Sequence, residues 1–380
     1  MKALETGRGV AEASDHPTAS AGPATTGSAS MLPYHRIVLA RVDMAKLIAD
    51  TEQEILRLVG DRDVSTRPLY EMVRYHLGLD GAPGDTGKRL RPLLGLLAYA
   101  SLTGDHRPAL PGAAAVELGH NFSLVHDDIE DRDVERRHRA ALWTIYGIPQ
   151  AINAGDLLSV LSRLAIYRLS ELGFGDAKVL ALMRLFDDTC LALCEGQFLD
   201  IWASEHAEGM SVDLYFEMVG KKTASLIAAS VQAGAMLATD DEVIVQAFHA
   251  FGWALGIAFQ LNDDLLGIWG AEQATGKEPS DLAKHKKTLP VIYALEHGTP
   301  ADRGRLLQLY GAPELTLASQ SEAREILERA GARDYTRSQA RRYRDEAIDA
   351  LDDLEGRADR LVDGAARARL REIVQSAISA

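Results

Sequence analysis

The sequence predicts an all-α protein with one large helical domain, and three observations carry that prediction. Apolar residues recur at helix-like spacing almost everywhere from Tyr34 onward. Clean apolar/polar alternation over five or more positions is hard to find, which makes strands improbable. Two long, mostly apolar segments lack proline, and such helices are buried on several faces. A central helix over 241–269 needs neighbours on all sides, which one large bundle supplies and two small ones do not.

Residues 1–30 are rich in Ala, Ser, Thr, Gly and Pro with almost no large apolar side chains. Such a segment cannot offset its ordering entropy and reads as a disordered tail ahead of a domain over 31–380. In the first helical stretch, Ile37, Leu39, Val42, Leu47, Ile55, Leu58 and Val59 form the apolar set. GLDGAPGDTGK and TGDHRPALPG mark the next loops. AGDLLSVLSRLAIYRLSELG places Leu157, Leu161, Leu164, Ile166 and Leu169 at helical spacing and stops at a glycine. The segments from GDAKVLALM and from DDEVIVQAF are the long apolar helices, and EQATGKEPSDLAKHKKT is a polar loop. The C-terminal stretch from ARDYTRSQ to REIV gives two amphipathic helices with charged outer faces. No fixed-period repeat points to a solenoid.

With 380 residues, 47 % of them hydrophobic and 25 % charged, the composition is ordinary for a globular protein. The formal charge of −14 argues against nucleic acid or an anionic membrane as the main partner. An acidic protein that binds an anion must invert its field locally, with clustered Lys and Arg or with metal ions. Cys190 and Cys194 are too few for a disulfide framework or a zinc site and read as buried thiols of a reduced, cytoplasmic protein. No run of eighteen apolar residues suggests a membrane span, and the N-terminus does not read as a secretory signal.

Two acidic clusters interrupt the apolar pattern. LVHDDIEDRDVERR ends an apolar helix, and Asp127 and Asp131, four apart, share one face with Asp128 beside them. Like charges at that spacing repel, so they need either solvent or a ligand, and hard carboxylate oxygens suit Mg²⁺. The second pair, Asp263 and Asp264 in FQLNDDLLG, lies inside a long apolar helix, where unpaired carboxylates cost several kcal/mol each. Two such clusters with basic motifs between them fit opposite walls of a polar cavity. A two-iron centre would need a Glu-x-x-His motif on each of two helices, and no such pair of motifs is present.

GKRLRP at 87–92 puts Lys88, Arg89 and Arg91 at a helix start, a natural phosphate site. His120 lies two turns before Asp127 on nearly the same face, and Arg136 and Arg137 follow the first cluster, where their forked donors match phosphate geometry. GKKTASL at 220–226 places Lys222 and Thr223 at a further helix start, and the loop after the second cluster carries Lys277, Lys286 and Lys287.

In this order, GKRLRP, ELGHNFSLVHDDIED, ERR, AGD, EGQFLD, KKT, FQLNDDLLGIWG, TGK and DLAKHKKTLP resemble the trans-isoprenyl diphosphate synthase (polyprenyl synthetase) family from about Tyr34 to the C-terminus. Within it the pattern is most similar to bacterial geranylgeranyl diphosphate synthases. The resemblance implies antiparallel helices around a deep central cavity, commonly in a homodimer. It also implies that Asp127, Asp128, Asp131, Asp263 and Asp264 hold three Mg²⁺ on an allylic diphosphate. By the same resemblance Lys88, Arg91, His120 and Arg137 take isopentenyl diphosphate. Arg136, Lys222, Lys277 and Lys286 hold the allylic diphosphate, and Thr223 and Gln260 put oxygens near the developing carbocation.

Three departures from the family pattern stand out. Gly267 replaces the usual third acid of the second motif, His285 replaces a glycine before Lys286, and RRHRAALW replaces the commoner RRGxPT. The family rule for product length looks four and five positions before the first motif, at Ser123 and Phe122. Phe122 with an uninserted DDIED is similar to twenty-carbon synthases, although helical geometry points Ser123 more directly into line and a fifteen-carbon product stays open. A terpene cyclase shares the fold, but Leu266 stands where its second motif needs Ser. A silent regulatory subunit would lose the first motif or the basic pocket, and both are present.

Overall fold

Apolar periodicity becomes helix throughout the computed structural model, which describes residues 42–60, 63–81, 87–206, 209–270, 281–355 and 362–376. The expected tail and Lys277 lie outside the described residues. The chain runs α1 (Met44–Leu58), α2 (Arg67–Leu77), α3 (Leu90–Thr103), α4 (Leu110–Glu130), α5 (Leu142–Tyr146), α6 (Ile148–Glu171) and α7 (Asp176–Glu205). It continues with α8 (Val212–Val219), α9 (Ser225–Ala238), α10 (Glu242–Trp269) and α11 (Leu289–His297). The last four helices are α12 (Pro300–Tyr310), α13 (Leu317–Arg329), α14 (Ala332–Glu355) and α15 (Gly364–Ser376). Short polar side chains start several of them: Asp43 accepts from the Lys46 N–H, Ser211 from Leu214, and Asp241 from Val243 and Ile244.

The centre is α10, packed against α14 on one side and α9 on another. The inner face of α14 presents Ala340, Ala347, Leu351 and Leu354, all buried, so a helix with a charged outer face still closes the core. Helix α4 packs along α6, and α3 along α9. By length and composition α10 is apolar enough to cross a membrane, although it holds no unbroken run of eighteen apolar residues. Its position explains that composition, because a helix enclosed by protein on several faces needs the same side chains as one enclosed by lipid.

Two sequence expectations need correction, and one small exception to the all-helical pattern appears. Lys222 and Thr223 do not start a helix: α8 runs into α9 through a π turn, Gly220–Ala224. The extra residue in that turn bulges the backbone and re-aims both side chains, a distortion that clusters at functional sites. Strand pairing does occur, as a two-residue ladder in which Glu135 and Arg136 face Ala140 and Arg139. Cys194 is exposed, whereas Cys190 is buried and its thiol is pushed up to about 12 by that burial.

Candidate active site

The site lies where α4, the Arg136–Arg139 hairpin, the π turn, α7 and the C-terminal half of α10 meet. Five non-glycine residues have left-handed φ among the described residues: Arg89 (48°), Arg132 (55°), Arg137 (54°), His138 (58°) and His285 (54°). Each costs about 1–2 kcal/mol, and all five lie in the basic or acidic segments singled out above. Arg137 and His138 are the two central residues of the hairpin turn, which demands positive φ at both. His285 keeps the backbone shape that the family's glycine would take, so the departure there changes cost rather than course.

The last turn of α4 presents the first acidic cluster. Burial pushes the Asp127 carboxyl up to about 7, with Asp131 and Glu130 adding to the rise and Lys222 opposing it. Asp131 is raised in the same way, chiefly by burial and against the pull of Lys222 and Lys286. Asp128 is different: it is buried, and its Oδ1 accepts from the Arg136 Nε at 2.8 Å and also from a terminal guanidinium nitrogen. Its Oδ2 is buried and has no hydrogen-bond partner in the structure. Opposite stands Lys222, whose ammonium grips Asp200 on α7 and is held charged by Asp200, Asp127 and Asp131 against its burial. Gly196 permits that approach, because a Cβ there would lie 2.4 Å from the Lys222 backbone nitrogen. The two walls are tied by Gln197, which donates to Glu130 at 2.8 Å, and by Lys284, which donates to Asp133 at 2.7 Å.

The second pair divides its labour. Asp263 is exposed, whereas Asp264 is buried and serves as the hub of a hydrogen-bond network. Its Oδ2 accepts from the Tyr215 hydroxyl at 2.5 Å and the Leu289 N–H at 2.8 Å, and its Oδ1 from Gln260 Nε2 at 3.0 Å. Burial nevertheless pushes its carboxyl up to about 7. Expected among the metal ligands, Asp264 instead has both oxygens taken by protein donors. It orients Gln260, whose Oε1 in turn accepts from the Thr223 hydroxyl at 3.0 Å.

On the far side of Asp128 lies a basic pocket. Arg91 donates to His120 Nε2 at 3.1 Å, which leaves the remaining proton of a neutral imidazole on Nδ1. Burial holds His120 well below its usual range, and Arg91, Arg137 and Arg136 add to that. His76, which the sequence did not flag, is pushed down to about 3 by burial and by Arg137, Arg136 and Arg89. Arg137 is 3.5 Å from the Asn121 side-chain oxygen and packs flat on Gly87, which joins the hairpin to GKRLRP. Lys88 is exposed at the same segment. Its neighbour Arg89 turns inward and binds Glu117 at 2.7 Å and the Leu77 carbonyl at 2.6 Å. Cations crowded together while two histidines stay neutral make a strongly positive pocket, with the buried Nε of Arg91 lacking any partner.

Residues 69–328 match the polyprenyl synthetase family. The chain belongs to that family. This polyprenyl synthetase is a prenyltransferase. It is 40 % identical over 289 residues to a geranylgeranyl diphosphate synthase of Mycobacterium tuberculosis, covering 74 % of this chain and 80 % of that one. It is 39 % identical over 306 residues to a (2E,6E)-farnesyl diphosphate synthase of the same organism, covering 78 % and 83 %. Among solved structures, the geranylgeranyl pyrophosphate synthetase of Pyrococcus horikoshii superposes with a TM-score of 0.79 at 32 % identity, covering 89 % of this chain and 98 % of that one.

Sequence reasoning missed Asp200, Asn121, Tyr215 and His76. Asp200 in EGQFLD and Asn121 in ELGHNFSLVHDDIED were within reach of motif reading, whereas Tyr215 and His76 act through contacts with segments distant in sequence. Phe122, expected in the floor below Asp127, is set about 140° round α4 from it at 3.6 residues per turn. Its ring meets His126 edge to face with centroids 6.0 Å apart, on the flank where His126 packs against Gly155 of α6.

Among the described residues no three His, Cys, Asp or Glu side chains converge closely enough to hold an ion unaided. Mg²⁺ keeps one or two carboxylates and takes its remaining ligands from water and substrate phosphates. Asp127 and Asp131 are hard oxygen donors whose ionisation is opposed by burial and by each other, so a cation between them relieves a real cost.

Proposed function

We propose that this enzyme condenses isopentenyl diphosphate with an allylic diphosphate and releases mainly geranylgeranyl diphosphate. One observation carries the condensation of two diphosphates: two anion sites of opposite design lie on either side of the Asp128–Arg136 pair. The basic pocket of Arg91, His120, Arg137 and Lys88 takes the isopentenyl diphosphate directly. The acidic wall of Asp127, Asp131 and Asp263 needs cations before it can take an anion, and we assign three Mg²⁺ to it with the allylic diphosphate. When bound, magnesium supplies positive charge against the leaving diphosphate.

The protein supplies the rest. Lys222, Arg136 and Lys286 add fixed positive charge on the same side, so diphosphate departure is stabilised without solvent reorganisation, and Lys277 is assigned with them from the family motif alone. Thr223 and Gln260, fixed in orientation by Asp264, turn lone pairs toward the allylic cation. Its attack by the isopentenyl double bond needs a dry cavity, and the released pyrophosphate accepts the final proton.

Val116, Leu193 and Leu226, from α4, α7 and α9, form a small buried apolar cluster of their own. Phe186 lines the same narrow apolar crevice as Val116 and Leu226. We assign the floor that limits chain growth to this group in place of Phe122. The exposed apolar stripe of Ile152, Val160, Leu164 and Tyr167 on α6, with Leu191 and Phe198 on α7, supports a homodimer. The unpaired cysteines are in keeping with a cytoplasmic setting.

The test is turnover by purified protein with magnesium, isopentenyl diphosphate and each allylic starter, followed by product sizing. A twenty-carbon product supports the reading, and a fifteen-carbon end point corrects it to farnesyl diphosphate. No condensation with any starter refutes it.

A further inference from the structure

The hairpin that carries Arg136 and Arg137 is too short to hold itself. Its ladder has two residues on each side, and both residues of its turn, Arg137 and His138, take left-handed φ. A two-stranded hairpin is marginal in water even without that cost. What fixes it comes from the end of α2 and the residues just after it. Arg139 donates from Nη1 to Asp80 Oδ1 at 3.2 Å and from Nη2 to Oδ2 at 2.6 Å, and its Nη1 also reaches the Tyr75 carbonyl at 3.0 Å. Its guanidinium lies over the Tyr75 ring, 3.9 Å from the centroid, and the Tyr75 hydroxyl donates to the Ala140 carbonyl at 3.0 Å. The Arg139 and Asp80 side chains are only 15 % and 24 % exposed, so salt screens the pair less than a surface one. A guanidinium fork on a carboxylate fixes direction as well as distance, and the ring beneath it fixes the plane. None of Tyr75, Asp80 and Arg139 lies in the motifs that carry the family resemblance, and Arg139 stands in the segment where RRHRAALW departs from it.

Arg139 is the ladder partner of Arg136 and shares a narrow crevice with Arg136, Arg137 and His76. The two arginines it braces do not depend on it equally. Arg136 has an anchor of its own, because Asp128 Oδ1 accepts from its Nε at 2.8 Å. Arg137 sits in the turn itself, 3.5 Å from the Asn121 side-chain oxygen, so its aim follows the turn.

We propose that Arg139, held by Asp80 and Tyr75, is a positioning residue that aims Arg137 into the basic pocket and so sets the affinity for isopentenyl diphosphate. It acts through Arg137 and does not itself touch the substrate. The inference rests on the isopentenyl diphosphate reading of that pocket and adds to it a residue from outside the pocket.

The experiment is steady-state kinetics of the full chain with magnesium, varying each diphosphate against a saturating level of the other. Wild type is compared with Arg139→Met, Arg139→Lys, Asp80→Asn, the double variant Arg139→Met with Asp80→Asn, and Arg91→Met as the pocket control. Arg139→Met should raise the KM for isopentenyl diphosphate by about fivefold or more. The KM for the allylic diphosphate and kcat at saturation should stay within about twofold, as when uniform binding of one substrate is lost. Asp80→Asn should act in the same direction, and it leaves the hairpin sequence intact should Arg139→Met fail to fold. The double variant should be no worse than Arg139→Met, since the same clamp is removed only once. Arg139→Lys keeps the charge but not the fork, and should recover only a minor part of the loss.

If Arg91→Met raises the KM for isopentenyl diphosphate and neither Arg139→Met nor Asp80→Asn does, the inference is overturned and the reading of the pocket stands. A fall in Tm does not rescue it, because the clamp would then be structural alone. Equal rises in both KM values overturn it too, since the clamp would then hold the whole site rather than aim Arg137. Additive losses in the double variant, or wild-type behaviour of Arg139→Lys, overturn the clamp as the cause. An unchanged KM in Arg91→Met as well as in Arg139→Met overturns the reading of the pocket itself.

Discussion

Replacing Asp127 with Asn exchanges a carboxylate that the fold resists ionising for a neutral isostere. Its carboxyl is raised from 3.8 to about 7. At ~1.4 kcal/mol per pH unit the difference is about 4 kcal/mol, and partial solvent screening brings the expected effect to about 2–4 kcal/mol. The folded carboxyl binds its proton more tightly than the unfolded one. Wild-type stability from this group is therefore full below pH 3.8, is lost as pH rises through 7, and then levels off. Magnesium-free Asp127→Asn should accordingly be the more stable protein at pH 8, by several degrees in Tm. Its advantage should shrink by about 2–3 kcal/mol on lowering the pH from 8 to 5. With magnesium and pyrophosphate the order should reverse, because only wild type gains from the cation, and turnover by the variant should be lost. Urea melts across that pH range, with and without magnesium and pyrophosphate, make the comparison. A variant less stable than wild type at pH 8 without metal, or an advantage that does not change with pH, refutes the premise that Asp127 is a desolvated charge awaiting a cation.

Arg89→Met should cost about 3–5 kcal/mol in urea unfolding, because it strands Glu117 as a buried, unpaired charge. Arg91→Met should instead raise the KM for isopentenyl diphosphate at least tenfold with a much smaller loss of stability, since Arg91 faces the basic pocket. Gly196→Ala drives a methyl group into the Lys222 backbone and should lower kcat more than its ~1–3 kcal/mol loss of stability explains. Leu193→Ala should shift products to longer chains, read by chromatography of the dephosphorylated alcohols. If Phe122→Ala lengthens them and Leu193→Ala does not, the floor belongs to α4 alone.

The helices were legible because 3.6-residue periodicity and N-terminal caps are local properties, and Asp43, Ser211 and Asp241 cap as side chains of their kind do. The first acidic cluster was legible for the same reason, since four-residue spacing fixes a shared face before any packing occurs. Adjacent residues defeat that reasoning. Asp263 and Asp264 differ by about 100° on one helix, and which one stays exposed was decided by Tyr215 and the Leu289 N–H claiming the other. Arg89 and Arg91 were separated in the same way, by Glu117 and the Leu77 carbonyl taking one inward and His120 meeting the other. The sequence by itself determined an all-helical polyprenyl synthetase with acidic and basic motifs in a definite order. Only the tertiary structure decided which of those charges stay exposed, which are spent on the protein's own support, and that Asp281 occupies the space beside Gly267. The reason is that burial and hydrogen-bond partners come from segments far apart in the chain, and no spacing within one helix encodes them.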